Sequence, residues 1–261
     1  MPVNISLCIP TMNRYDSFLK NNLTKYLQMD IIDEIVICDE NGEDVKKIQQ
    51  DFPNNNKLRL FVNERKLGPF LNKIKVCQQA KNEWIALIDS DNFADVDYFE
   101  KIKSFIENNK LNKNSILSPD YGTEIFRWEH LSSYMGNHAV LNRKTYLTLK
   151  QLDQKRKQGL GNINHLVNTG NYVLNKYLID NINLQNDMPL INISYCFDVL
   201  LMNLLMFEQL DLQFYILKDL KYKHAISDDS IYTRTAGQLI NGVPRREYAN
   251  MTYKRLYNYL S

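Results

Sequence analysis

Two aspartates one residue apart, Asp89 and Asp91, directly follow the apolar run at residues 84–88, WIALI. A buried strand that ends in D-x-D fixes the backbone from which both carboxylates project. Such a pair recruits a hard divalent cation, Mn2+ or Mg2+, which bridges carboxylate and phosphate oxygens. Alone, D-x-D also makes turns and helix caps, so its placement carries the argument. Polar groups stand at matching places elsewhere: Pro10, Thr11, Asn13 and Arg14 after residues 5–9, Asp39 and Glu40 after 34–38, and Asn63 after 58–62. Neither G-x-G-x-x-G nor a P-loop is present, so the backbone-amide cradle that usually neutralises phosphates is missing. Carboxylates by themselves would repel a diphosphate, and a bound cation removes that conflict.

The elements that must position these groups follow from hydrophobic periodicity. Residues 5–9, 34–38, 58–62 and 84–88 are short apolar runs that read as strands. Pro10 closes the first, because it has no N–H to donate. Helices are expected between the strands: one capped by Asp16, one over residues 44–51, and one opened by Gly68 and Pro69. Parallel neighbours need crossover helices, so the alternation predicts a parallel, doubly wound sheet. In such a sheet ligands bind beyond the carboxyl ends of the strands, where the polar groups gather. After Asp95 a helix to residue 108 precedes a less regular half. There 136–143 and 170–176 each read as a strand leading into a short helix, and 151–161 as an exposed loop or short helix. An apolar helix over 197–210 and a strand at 214–217 follow.

Composition excludes several classes. The 261 residues carry 32 basic and 30 acidic side chains, a formal charge of +2, so no long-range field draws nucleic acid to the chain. Hydrophobic residues make up 44%, which argues against disorder. Cys8, Cys38, Cys77 and Cys196 form no C-x-x-C pair and read as free thiols in a reducing compartment. No signal-peptide pattern and no run near the ~20 apolar residues of a bilayer span occur, so a cytoplasmic location is expected.

The ordered set of residues 5–14, 34–39, Leu67, Gly68, Asn72 and 84–91 resembles the inverting nucleotide-sugar glycosyltransferases of family 2. That resemblance implies the GT-A fold, α/β and Rossmann-like, with a mostly parallel central sheet flanked by helices and a variable C-terminal acceptor half. The expected organisation is one domain over 1–261: a nucleotide-sugar half at 1–100, an acceptor half at 101–234, and a basic, aromatic helical segment at 235–261.

The resemblance implies a metal-dependent enzyme that transfers a sugar from an NDP-sugar, with UDP favoured, to a hydroxyl of a glycan or other acceptor. Pro10, Thr11, Asn13 and Arg14 would line the nucleotide pocket with Glu40, Gly68 and Asn72, and Asp39 would accept from the base. Asp89 and Ser90 would lie near ribose and diphosphate, and Asp91 would hold Mn2+ or Mg2+. Leu71 stands where the family often has Arg, and Lys73 is the replacement charge. Asp198, opening the apolar helix, is the candidate base, with an ordinary N-cap as its structural alternative. His224 is a second candidate metal ligand. Trp128 and Asn171 are candidate acceptor contacts.

Two other functions fit the same fold: a sugar nucleotidyltransferase, and a catalytically silent nucleotide-sugar-binding protein. Residues 227–234 could form a lid. Residues 243–260 read either as a terminal helix packed on the domain or as a weak membrane-surface contact.

Overall fold

The computed structural model describes residues 3–122, 126–127, 138–156, 171–225 and 234–261. The first half alternates β1 (Ile5–Thr11), a π-helical turn (Tyr15–Leu19) running into α1 (Lys20–Tyr26), β2 (Glu34–Asp39), α2 (Glu43–Asp51), β3 (Leu58–Val62), α3 (Pro69–Gln78), β4 (Trp84–Leu87) and α4 (Val96–Asn108). The second half adds β5 (Ser115–Gly122), β6 (Phe126–Arg127), β7 (His138–Leu141), α5 (Arg143–Arg156), β8 (Tyr172–Asn175), α6 (Lys176–Asn181), α7 (Met188–Ile191), α8 (Asp198–Leu210) and β9 (Gln213–Tyr222). A small hairpin, β10 (Leu239–Ile240) and β11 (Val243–Pro244), leads into α9 (Arg245–Leu260).

Among the described residues one nine-stranded sheet has the order β3-β2-β1-β4-β8-β5-β9-β7, with β6 on β5. β1 to β4 pair in parallel, β8 lies antiparallel between β4 and β5, β9 is parallel to β5, and β7 closes the edge antiparallel to β9. Most strands therefore point one way, and their carboxyl ends share one rim. The expected α/β architecture is observed.

Strand residues alternate between two cores, as a period of two requires for a sheet covered on both faces. Cys8, Val36, Cys38, Ile85, Leu87 and Leu174 face α3, α6 and α8. Leu7, Ile9, Ile35, Ile37, Ala86 and Val173 face α1 and α4. α8 is buried along most of its length, from Val199 to Phe207, which explains why it is apolar all round. α9 buries Arg245, Thr252, Leu256 and Leu260, so one of its faces is packed on the protein. No helix of the described residues is long and apolar enough to cross a membrane.

Two expectations need correction. β1 does not close at Pro10: the strand continues to Thr11, with Pro10 in register with Cys38. β4 pairs with β1 only as far as Cys8, and by alternation the missing N–H of Pro10 faces the side that β4 has already left. Asp16 is not the N-cap of the first helix; it lies in the first turn, and the N–H groups of Arg14 and Tyr15 are met by Asp44 from α2. Residues 151–156 continue α5, which agrees with the helical reading of that segment, and residues 157–161 lie outside the described residues.

Candidate active site

The rim at β1 and β2 is held by two aspartates with different duties. Asp39, fully buried at the end of β2, accepts from the N–H groups of Asp44 (2.8 Å) and Val45 (3.0 Å) and so satisfies the start of α2. Its other oxygen receives only a 3.3 Å contact from the Asn41 N–H, which leaves acceptor capacity for a ligand donor. Asp44 accepts from Thr11 Oγ1 (2.5 Å) and from the N–H groups of Arg14 (3.0 Å) and Tyr15 (3.0 Å). It fixes the turn after β1, where Asn13 has a positive φ of 56° and is bonded through its amide oxygen to Asn41.

Glu40 accepts from the Leu67 N–H at 2.7 Å, while its second oxygen is buried without a partner. Burial raises its pKa above the ordinary carboxylate value. Asn72 is committed twice, accepting from Asn63 at 3.0 Å and donating to the Cys38 carbonyl at 3.2 Å, and so ties α3 to the ends of β2 and β3. Gly68, with φ 82° and ψ 166°, occupies a region that only glycine adopts readily, and a Cβ there would meet Tyr195 at 3.4 Å.

The D-x-D turn is braced from behind. Asn171, only 1% exposed, uses one amide oxygen to accept from the Asp89 N–H (3.0 Å) and from Asn92 Nδ2 (3.1 Å). Asn92 Oδ1 in turn accepts from the Ala225 N–H at 2.9 Å, and the Asn92 carbonyl accepts from Asn22 at 3.0 Å. A backbone bridge between Phe93 and Lys223 brings the chain after β9 to the same turn. This bridge brings His224 within range of the Asp89 charge. Burial lowers the pKa of its imidazole and the Asp89 charge only partly offsets that, so the ring is neutral at neutral pH.

Lys73 joins the two halves. Its ammonium lies 2.8 Å from Asp198 and 2.9 Å from Asp89, with a side chain 9% exposed. Burial alone would lower its pKa, but the two carboxylates outweigh burial and hold it above its ordinary value. Asp198 is the first residue of α8, and Phe197 is the N-cap, with no side-chain capping bond. The carboxylate is therefore spent on Lys73 and not on capping its own helix. Tyr195, three residues earlier, covers Gly68 and carries the Arg245 guanidinium 4.9 Å from its ring centroid.

Asp91 is the electrostatically costly member of the set. Burial first, then the neighbouring Asp89 charge, push its pKa up to about 6, against the pull of Arg14 and Lys73. A buried carboxylate whose proton affinity a neighbouring carboxylate raises suits a hard cation. Among the described residues no three His, Cys, Asp or Glu side chains converge on a metal-holding point. A cation here would complete its coordination with phosphate and water oxygens, which is how Mg2+ is commonly held.

Thr11, Arg14, Asp39, Glu40, Gly68, Asn72, Lys73, Asp89, Ser90, Asp91, Asp198 and His224 thus stand on or beside one rim. Asn171 stands there too, as a buried brace for the D-x-D turn. Trp128 and residues 227–233 lie outside the described residues. Asp44 and Asn92 were missed by sequence reading. Asp44 had a usable signal, an acid in the first turn of a helix just beyond a strand-end acid, whereas Asn92 depends on partners 70 to 133 residues away in sequence.

The sheet order, rim and D-x-D turn define a GT-A glycosyltransferase fold. The chain belongs to glycosyl transferase family 2, whose pattern it matches over residues 6–178. It is 26% identical over 110 residues to the glucosyl-dolichyl phosphate glucuronosyltransferase of Haloferax volcanii, covering 42% of this chain and 35% of that protein. It is 22% identical over 168 residues to an uncharacterized glycosyltransferase of Methanocaldococcus jannaschii, covering 59% and 58%. The chain thus spans between a third and three fifths of these relatives' length. Residues 1–349 of TarS from S. aureus share the fold at a TM-score of 0.62 and 15% identity, covering 98% of this chain and 72% of that one. The complex of that protein with UDP-GlcNAc gives 0.62 at 13% identity, covering 97% and 66%.

Proposed function

We propose that the chain binds a UDP-sugar at the carboxyl ends of β1, β2 and β4 and transfers its sugar, with inversion, to an acceptor hydroxyl. The observation that carries this reading is the single ammonium of Lys73 shared by Asp89 of the D-x-D turn and Asp198 of α8. It brings the candidate base from the second half to the proposed diphosphate side of the first. Family membership and the fold shared with a protein solved with UDP-GlcNAc support a nucleotide-sugar donor over the nucleotidyltransferase alternative.

In this mechanism Asp39 accepts from the base, Thr11 and Arg14 border the nucleotide, and Asp89 and Ser90 meet the ribose and diphosphate. Asp198 takes the proton from the acceptor hydroxyl as its oxygen bonds to the anomeric carbon. The bond from that carbon to the diphosphate breaks, and its electron pair leaves with UDP. Attack from the face opposite the leaving group inverts the anomeric centre. Asp91 and His224 would hold Mn2+ or Mg2+, which when bound offsets charge on the departing diphosphate.

A thermal-shift screen of nucleotide sugars with and without Mn2+ tests donor, base and cation together, because a ligand of the native state raises the melting temperature. A UDP-sugar that stabilises only with cation supports the reading. Stabilisation by nucleoside triphosphates alone would contradict it. Donor binding without hydrolysis or transfer to any acceptor would make the chain a silent binder.

A further inference from the structure

Resting on this reading of the donor site, we propose that Lys73 is a positioning residue that couples donor binding to the candidate base. Its ammonium is shared by Asp89 and Asp198 before the donor arrives and passes to Asp198 alone when the donor engages Asp89.

Lys73 cannot easily move elsewhere. Its neighbour Asn72 is bonded to Asn63 and to the Cys38 carbonyl, which fixes the first turn of α3. The Lys73 stem is buried, and a lysine this buried needs paired charge. The three groups carry two negative charges and one positive, so each carboxylate competes for the same ammonium. Asp89 is the member on the D-x-D turn, where diphosphate and cation would dock. Once they draw on Asp89, Asp198 is the partner that can still hold the ammonium, and holding it orients the base toward the acceptor. The pairing makes an ordered reaction, donor before acceptor, a property of the side chains.

The coupling has a sign that simple charge removal lacks. Taking away one negative charge near a diphosphate site should tighten UDP binding. Under the coupling, Asp198→Asn removes the destination of the ammonium, so UDP must compete with an undivided Lys73–Asp89 pair and binds more weakly.

Titration calorimetry of UDP in the presence of Mn2+ on four proteins reads this directly: wild type, Asp198→Asn, Lys73→Met and the double variant. UDP affinity should fall about five- to tenfold on Asp198→Asn with Lys73 present, within the range of coupling between contacting residues. It should change less than about twofold on the same substitution in the Lys73→Met background. Lys73→Gln replaces Lys73→Met if the latter does not fold, as judged by its melting transition. Equal effects in both backgrounds, or tighter UDP binding by Asp198→Asn, overturn the coupling while the donor reading stands. Absence of UDP uptake by the wild type overturns the donor reading, and the coupling with it.

Discussion

The two halves of the sheet solve the same problem differently. In the first half the rim groups sit directly at the ends of parallel strands, and local hydrogen bonds finish their placement: Asp44 holds the turn after β1, and Asn72 ties α3 to β2. In the second half the strands run in both directions, and β5 shifts register between Pro119 and Tyr121. Asp198 arrives through an ion pair with Lys73, and His224 through a backbone bridge to Phe93. A parallel sheet delivers a set of groups by topology, whereas the added half must be fastened to it contact by contact. The fastenings should therefore be the points at which substitution separates folding from chemistry.

The largest expected effect is on chemistry in the second half. Asp198→Asn should still take up UDP, yet release of UDP from a nucleotide sugar should fall by about 10²- to 10⁴-fold, the usual size of a lost general base. Retained turnover would remove Asp198 from that role. In the first half the largest effect should be on stability. Asp44→Ala strips the acceptor from Thr11, Arg14 and Tyr15 together and should cost about 2–4 kcal/mol in denaturant unfolding. A loss below about 0.5 kcal/mol would mean that water serves those donors as well.

Gly122→Ala sharpens the comparison at the second fastening. A Cβ at residue 122 would stand 2.5 Å from the Tyr222 ring, which is buried beside His224. The expected cost is about 1–3 kcal/mol from overpacking, together with weakened dependence of nucleotide binding on Mn2+. Unchanged cation dependence would detach His224 from the cation.

Glu40→Gln should give the smallest change. Burial raises the pKa of Glu40, so the folded state holds the proton to higher pH than the unfolded state does. Its contribution to stability is therefore present at low pH and is lost as pH rises through the raised pKa. Unfolding measured across that range should show a shallower decline in the Gln variant, and an identical pH profile would mean that Oε1 is solvated.

The alternation of apolar runs and breakers over residues 5–88 made the parallel sheet and its rim legible, because a period of two and strand-end polarity are local signals. Asp198 was legible as an acid opening an apolar helix and Lys73 as a charge near the phosphates, but their pairing across 125 residues of sequence was not. Pro10 misled because its tolerance depends on where β4 leaves the ladder, a fact about a neighbouring strand. Asn171 misled in another way. A polar residue opening a strand looks available to a ligand, yet the fold buries it against Asp89 and Asn92. The sheet order of the second half, with β8 inserted between β4 and β5, leaves no local trace at all.

The central claim is that acidic groups at this rim take up a nucleoside diphosphate together with a divalent cation. Calorimetric titration of UDP into the wild type and Asp91→Asn, each with Mn2+ and then with excess chelator, addresses it most directly. Uptake by the wild type that weakens at least about tenfold on chelation, and likewise on Asp91→Asn, is the predicted result. UDP uptake of equal strength with and without cation, or in both proteins, would contradict it.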